Sequence, residues 1–124
     1  MGARTVQFDV IKLNNKDFKV HDCGAGSTVI FIYHQQHSLV QLKELVTVKS
    51  ANNRVITVDL SDDFPSDVAE ISENMAAALV EDLHLLADVY ALEKVVIESN
   101  YLSINMGTNL SELLWYRFIH LLTD

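Results

Sequence analysis

The chain has 124 residues, 49% hydrophobic and 21% charged, a balance that excludes disorder and predicts a single domain over residues 1–124 around one core. Nine Lys and Arg against seventeen Asp and Glu give a formal net charge of -8, which repels phosphate backbones and anionic lipid surfaces. With no basic run interleaved with aromatics, neither nucleic acid nor a membrane is an expected partner.

The single cysteine, Cys23, can form no internal disulfide, and a reduced cytoplasmic thiol is expected. No apolar stretch approaches the ~18 residues that span a bilayer. The first residues lack the charged segment and apolar core of a secretory signal. Met1-Gly2 opens like a myristoylation site, but that pattern requires Ser or Thr where Val6 stands.

Residues 5–13, TVQFDVIKL, alternate apolar Val6, Phe8, Val10 and Leu13 with polar Gln7, Asp9 and Lys12, predicting a half-buried strand. Asn14-Asn15 is a turn pair tolerant of left-handed backbone, and residues 17–22 alternate again with Phe18 and Val20 on one face. The two form an N-terminal antiparallel hairpin. After Gly24-Ala25-Gly26-Ser27, the run TVIFIY (28–33) is apolar on both faces, as in the middle of a covered sheet. Residues 38–49 place Leu39, Leu42, Leu45 and Val46 at helical spacing behind Ser38 as N-cap. RVITVDL (54–60) is a second buried strand, ending in the acidic loop SDDFPSD with the only proline, Pro65.

The longest helical pattern runs from Ser66 to about Ala91, with a stripe of Val68, Ile71, Met75, Leu79, Leu83, Leu86 and Tyr90 and with Asp67, Glu70 and Glu73 near its start. A fresh start at Ser72 is the alternative. KVVIES (94–99) reads as the third buried strand, and from about Leu110 to Leu122 the spacing of Leu110, Leu113, Leu114, Phe118 and Leu121 predicts a final helix. The expected fold class is α/β: a mixed, mostly parallel sheet of about five strands, with the hairpin at one end and helices on both faces.

The order of these elements resembles the N-terminal half of an α/β-hydrolase. In that family a hairpin precedes a strand ending in His-Gly, whose loop helps to form the oxyanion hole. The corresponding stretch here is VIFIYHQQHS, with His34 kept and Gln35 in place of the glycine. The family's next strand ends Asp-x-x-Gly-x-Gly-x-Ser; DLSDDFPS keeps Asp59 and Ser66 and puts Asp62 and Phe64 at the glycines. LEKVVI then matches the strand before the nucleophile elbow Gly-x-Ser-x-Gly, which places Ser99, Asn100, Tyr101, Leu102 and Ser103 on the elbow.

Serine at the two glycine sites is the least intrusive substitute in strained backbone. Tyrosine at the nucleophile site is a poor acyl nucleophile, with a pKa of about 10. The resemblance spans residues 5–122 and implies a truncated, three-layer hydrolase-like sandwich. The family's triad acid and histidine, carried by later strands, have no counterpart in it. A serine without a base is nearly inert. The expectation is therefore a non-catalytic interaction or regulatory module. The rival is a minimal esterase-like enzyme using Ser99 or Ser103, completed by another chain; a register shifted by two residues would make Ser99 the nucleophile but put Ile97 and Tyr101 on the glycine sites.

Other chemistry is weaker. His34 and His37 are spaced H-x-x-H, but two histidines without a third ligand favour hydrogen-bonded histidines over a metal site. His84, three residues from Glu81, reads as a helix-surface residue, and nothing positions His120 as a base. Asp59, Asp62 and Asp63 cluster at a strand's carboxyl end, where α/β folds bind ligands, and read as a solvated loop before a divalent-ion site. No metal or cofactor is expected. LLWYRFIHLL (113–122) carries more apolar surface than one packing contact hides, so Trp115, Tyr116, Phe118 and Leu122 are candidate interface residues for a homodimer or another protein partner.

Overall fold

The computed structural model describes residues 7–13, 15–34, 39–67, 70–92, 95–99 and 108–109, the side chains of Leu39, Thr108 and Asn109 excepted. Its elements in chain order are β1 (Asp9–Leu13), β2 (Lys16–Cys23), β3 (Ser27–Tyr33), α1 (Leu39–Ser50), β4 (Asn53–Asp59), α2 (Glu73–Val89), β5 (Val95–Ser99) and the two-residue β6 (Thr108–Asn109). They form one mixed sheet of order β1-β2-β4-β3-β5-β6. The central strands β4, β3 and β5 run parallel, and the pairs β1–β2, β2–β4 and β5–β6 are antiparallel. The α/β class, the hairpin at one end and the helices on both faces agree with the sequence expectation.

The strand order explains the two helical layers. From β3 the chain crosses through α1 to β4 on one side, then through α2 back over β3 to β5 on the other. Right-handed crossovers in opposite directions must place their helices on opposite faces. Two cores result. Ile30, Ile32, Ile56, Val58 and Ile97 lie with Leu79, Leu83 and Leu86 of α2. Phe31, Tyr33 and Val55 lie with Leu42 and Val46 of α1. Consecutive residues of β3 serve alternate cores, which is why TVIFIY has no polar position after its first.

Ion pairs and cation–ring contacts join the strands to one another and to the helices. At the end of α1, Lys49 pairs with Glu98 of β5 and lies 5.5 Å from the Phe31 ring centroid. The Arg54 guanidinium holds both oxygens of Asp22, at 3.0 and 2.7 Å, and lies over the Tyr90 ring at 5.4 Å. Gly24, at φ 86°, brings the β2–β3 turn so close to β4 that an added Cβ would sit 2.1 Å from the Asn53 carbonyl oxygen, so only glycine fits.

Two sequence expectations are corrected. The helix runs Glu73–Val89 rather than from Ser66, because the Ser72 hydroxyl accepts the Met75 amide at 3.1 Å and caps a new start. Ile71 precedes that cap and packs on the α2-side core. In the hairpin, Leu13 faces inward as expected, but its inward companion in β1 is Ile11, while Val10 is 62% exposed. Ile11 pairs with Phe18, so both face α2, and Val10, paired with Lys19, points the other way. Of the turn pair, Asn15 has φ 62°, as its left-handed tolerance predicts; Asn14 lies outside the described residues.

Helix α2 ends in a Schellman arrangement, with the Leu92 amide bonded to the Ala87 carbonyl at 2.8 Å and the Ala91 amide to Asp88 at 3.1 Å. Ala91 takes the left-handed position, φ 54°, where a Cβ is unfavourable. Replacing Ala91 with Gly should therefore stabilise the fold by up to about 1 kcal/mol in urea unfolding, since the relief of that strain exceeds the entropy glycine adds to the unfolded chain.

Asp82 of α2, 6% exposed, is bonded to Lys16 at 3.2 Å. Burial pushes its carboxyl above the ordinary range, against the opposing hydrogen bond and charge of Lys16 and with help from Glu81 and Asp63. A carboxyl held above its unfolded value of about 3.9 favours the folded state fully below that pH, and this contribution is lost as pH rises through the folded pKa. The melting temperature of Asp82→Asn relative to the natural chain should therefore climb between acid and neutral pH. A difference that is flat with pH would show that Asp82 titrates alike in both states.

Candidate functional site

At the carboxyl ends of β3 and β4 the chain leaves for opposite faces of the sheet, the place where α/β folds open a crevice. In this protein hydrogen bonds tie the described ends of the two strands together. His34, immediately after β3 and 1% exposed, has Nε2 at 3.0 Å from the Phe64 carbonyl oxygen. A carbonyl only accepts, so Nε2 carries the proton and donates. The Leu60 amide donates to the Tyr33 carbonyl at 2.9 Å, and the amides of Asp63 and Phe64 fold back on the Leu60 carbonyl at 3.2 and 3.0 Å. Phe64 itself is buried in the α2-side core. The loop after β4 thus seats an aromatic where the hydrolase pattern has a glycine.

One strand away, Ser99 ends β5 opposite Ile32 and is 1% exposed. Its hydroxyl donates to the Ile32 carbonyl oxygen at 3.0 Å, tying β5 to β3. A nucleophilic serine must present Oγ to substrate at the top of the sheet. This one lies within the last ladder position of the strand, with its proton given to main chain.

The acidic residues divide their roles. Asp59 Oδ1 accepts the Ser61 amide at 2.9 Å and the Ser61 hydroxyl, closing the turn that ends β4. Asp62 pairs with Lys19 of β2 at 2.7 Å, and that hydrogen bond and charge raise the Lys19 pKa. Burial, then the charge of Asp59, holds the Tyr33 phenol above its ordinary range, so it stays protonated. Among the described residues, no group of three or more His, Cys, Asp and Glu side chains is placed to hold a metal ion.

His84 stands exposed on α2, as its position in the helical pattern predicts. Gln35, His37, Asn100, Tyr101, Leu102 and Ser103 lie outside the described residues, as do His120 and the proposed interface residues Trp115, Tyr116, Phe118 and Leu122. Sequence reasoning did not foresee β6, whose Thr108 and Asn109 pair with Ile97 and Val96; two residues carry no readable period. Nor did it foresee the His34–Phe64 link, although an aromatic at a glycine position was the available signal.

No family model matches the chain, and no curated relative does. Solved structures do share its fold. A variant of the Vigna radiata epoxide hydrolase matches with a TM-score of 0.56 at 17% identity, over 75% of this chain and 30% of that one. An epoxide hydrolase from hot-environment metagenomes matches with a TM-score of 0.58 at 22% identity, over 77% of this chain and 34% of that one. A protein of Nostoc sp. PCC 7120, provisionally assigned to the alpha/beta hydrolases, matches with a TM-score of 0.59 at 11% identity, over 93% and 40%. The chain thus has an α/β-hydrolase-like fold and spans about a third of the length of these proteins.

Replacing Ser99 with Ala should cost about 0.5–1.5 kcal/mol of stability, the usual net worth of one buried hydrogen bond, read as a lower urea midpoint. An unchanged midpoint would mean that the Ser99–Ile32 bond contributes nothing to the fold.

Proposed function

We infer that this chain, on its α/β-hydrolase-like fold, is a non-catalytic interaction or regulatory module of the cytoplasm that associates with a second copy of itself. The observation that carries the non-catalytic part of this reading is the Ser99 hydroxyl, the rival nucleophile, buried and bonded to the Ile32 carbonyl rather than presented to solvent. The resemblance adds Tyr101 at the nucleophile position, and a phenol with a pKa of about 10 attacks esters poorly at neutral pH. The His34 hydrogen bond to the Phe64 carbonyl supports the same reading, since it commits the oxyanion-loop histidine to main chain. In this reading Trp115, Tyr116, Phe118 and Leu122 form the contact, as buried aromatics anchor interfaces and two-fold pairing is the commonest assembly.

Fluorophosphonate probes should not label the protein, and neither nitrophenyl esters nor an aryl epoxide should turn over above buffer. The epoxide belongs in this test because two of the structural neighbours are epoxide hydrolases. Stoichiometric labelling at Ser99 or Ser103 would establish the esterase-like alternative. Light scattering at low micromolar concentration should give a dimer, and Trp115→Glu with Phe118→Glu should give a monomer. A natural chain that is monomeric at those concentrations would remove that contact.

A further inference from the structure

Helix α1 buries one side against the sheet through Leu42 and Val46, yet its outward side is not uniformly polar. Val40 and Val48 stand 67% and 74% exposed. With Lys43, Glu44 and Thr47 they line a shallow, open depression of about 340 Å³. The spacing i, i+3, i+4, i+7, i+8 makes these five residues one continuous stripe, about 140° wide at 100° per residue. Such a stripe is what a packed helix turns toward a neighbour.

The charges select the neighbour. Val40 and Thr47, seven residues apart, fall on the midline of the stripe, with Lys43 on one flank and Glu44 on the other. Neither Lys43 nor Glu44 takes part in an ion pair within the chain among the described residues. A second copy docked with its α1 parallel, about a two-fold axis running along the helices, sets Lys43 beside Glu44 of that copy at nearly the same height, twice. The antiparallel arrangement sets Lys beside Lys and Glu beside Glu. The face is therefore complementary to itself in one orientation and repulsive in the other.

We propose that the α1 face pairs in parallel with the α1 face of a second copy, Val40 against Val40 and Thr47 against Thr47, flanked by two Lys43–Glu44 ion pairs. One helix face buries less than the ~1,000 Å² of a stable interface, so this contact is weak and forms at high micromolar concentration. It takes from the proposed function only the identity of the partner, and it uses a different surface from Trp115 and Phe118.

The test uses the full chain carrying Val40→Cys, with Cys23→Ser to remove the native thiol, oxidised mildly at high micromolar concentration. Parallel pairing brings the two introduced thiols together, and a disulfide-linked dimer should form. Adding Lys43→Glu should slow linkage by about fivefold, the effect of losing roughly 1 kcal/mol of ion pairing, and adding Glu44→Lys as well should restore the rate. No linked dimer, or a rate indifferent to Lys43→Glu, would overturn the proposal. Because these readouts do not involve the terminal segment, a natural chain that is monomeric at low micromolar concentration bears only on the Trp115 contact.

Discussion

The hydrogen-bonding of β3 to parallel neighbours on both edges is the constraint from which the rest of the structure follows. Val29, Ile30, Phe31 and Ile32 pair with β4 on one side and β5 on the other, and their side chains are buried on both faces. A parallel neighbour requires a crossover, and with a crossover to each side there must be a helix over each face. The hairpin has no independent place in this scheme: it is fixed by β2 pairing with the free edge of β4, and β1 follows β2.

That same geometry brings the carboxyl ends of β3, β4 and β5 side by side, where a hydrolase would assemble its site. Here the polar side chains at those ends serve the main chain. His34 holds the Phe64 carbonyl, Asp59 holds the Ser61 turn, and Ser99 holds Ile32. A buried polar group needs a partner, and here carbonyls and amides of the main chain supply them. The result is a carboxyl edge whose groups contribute rigidity, with the loop after β4 bound down through both His34 and Phe64.

Much of this was legible in residue order. The uninterrupted run of β3 announced burial on both faces, and the Leu79, Leu83 and Leu86 stripe announced α2. What escaped were decisions made by tertiary contact or by a single side chain. Val10 and Ile11 are equally apolar, and only the pairing of Ile11 with Phe18 decides which turns inward. A helical stripe continues through Ser72 in the sequence, which leaves Ser66 and Ser72 both open as starts, and the hydroxyl accepting the Met75 amide selects the second. In the site, Ser99 looks alike as a glycine substitute and as a nucleophile until its hydroxyl is seen to point at Ile32. The fate of a polar group depends on a partner tens of residues away, which no local pattern records.

The strand order also carries a cost in assembly time. The β1–β2 hairpin is the first part of the described chain to be synthesised, yet the strand that β2 lies against is not the next one but β4, so that Cys23 meets Val55 and Lys19 meets Asp59. At ~5–20 residues per second of synthesis, the apolar side of the hairpin, with Phe18 and Val20, waits on the order of seconds before its partner exists. A two-stranded ribbon is marginal alone in water, so through that interval the hairpin has no sheet edge to settle against.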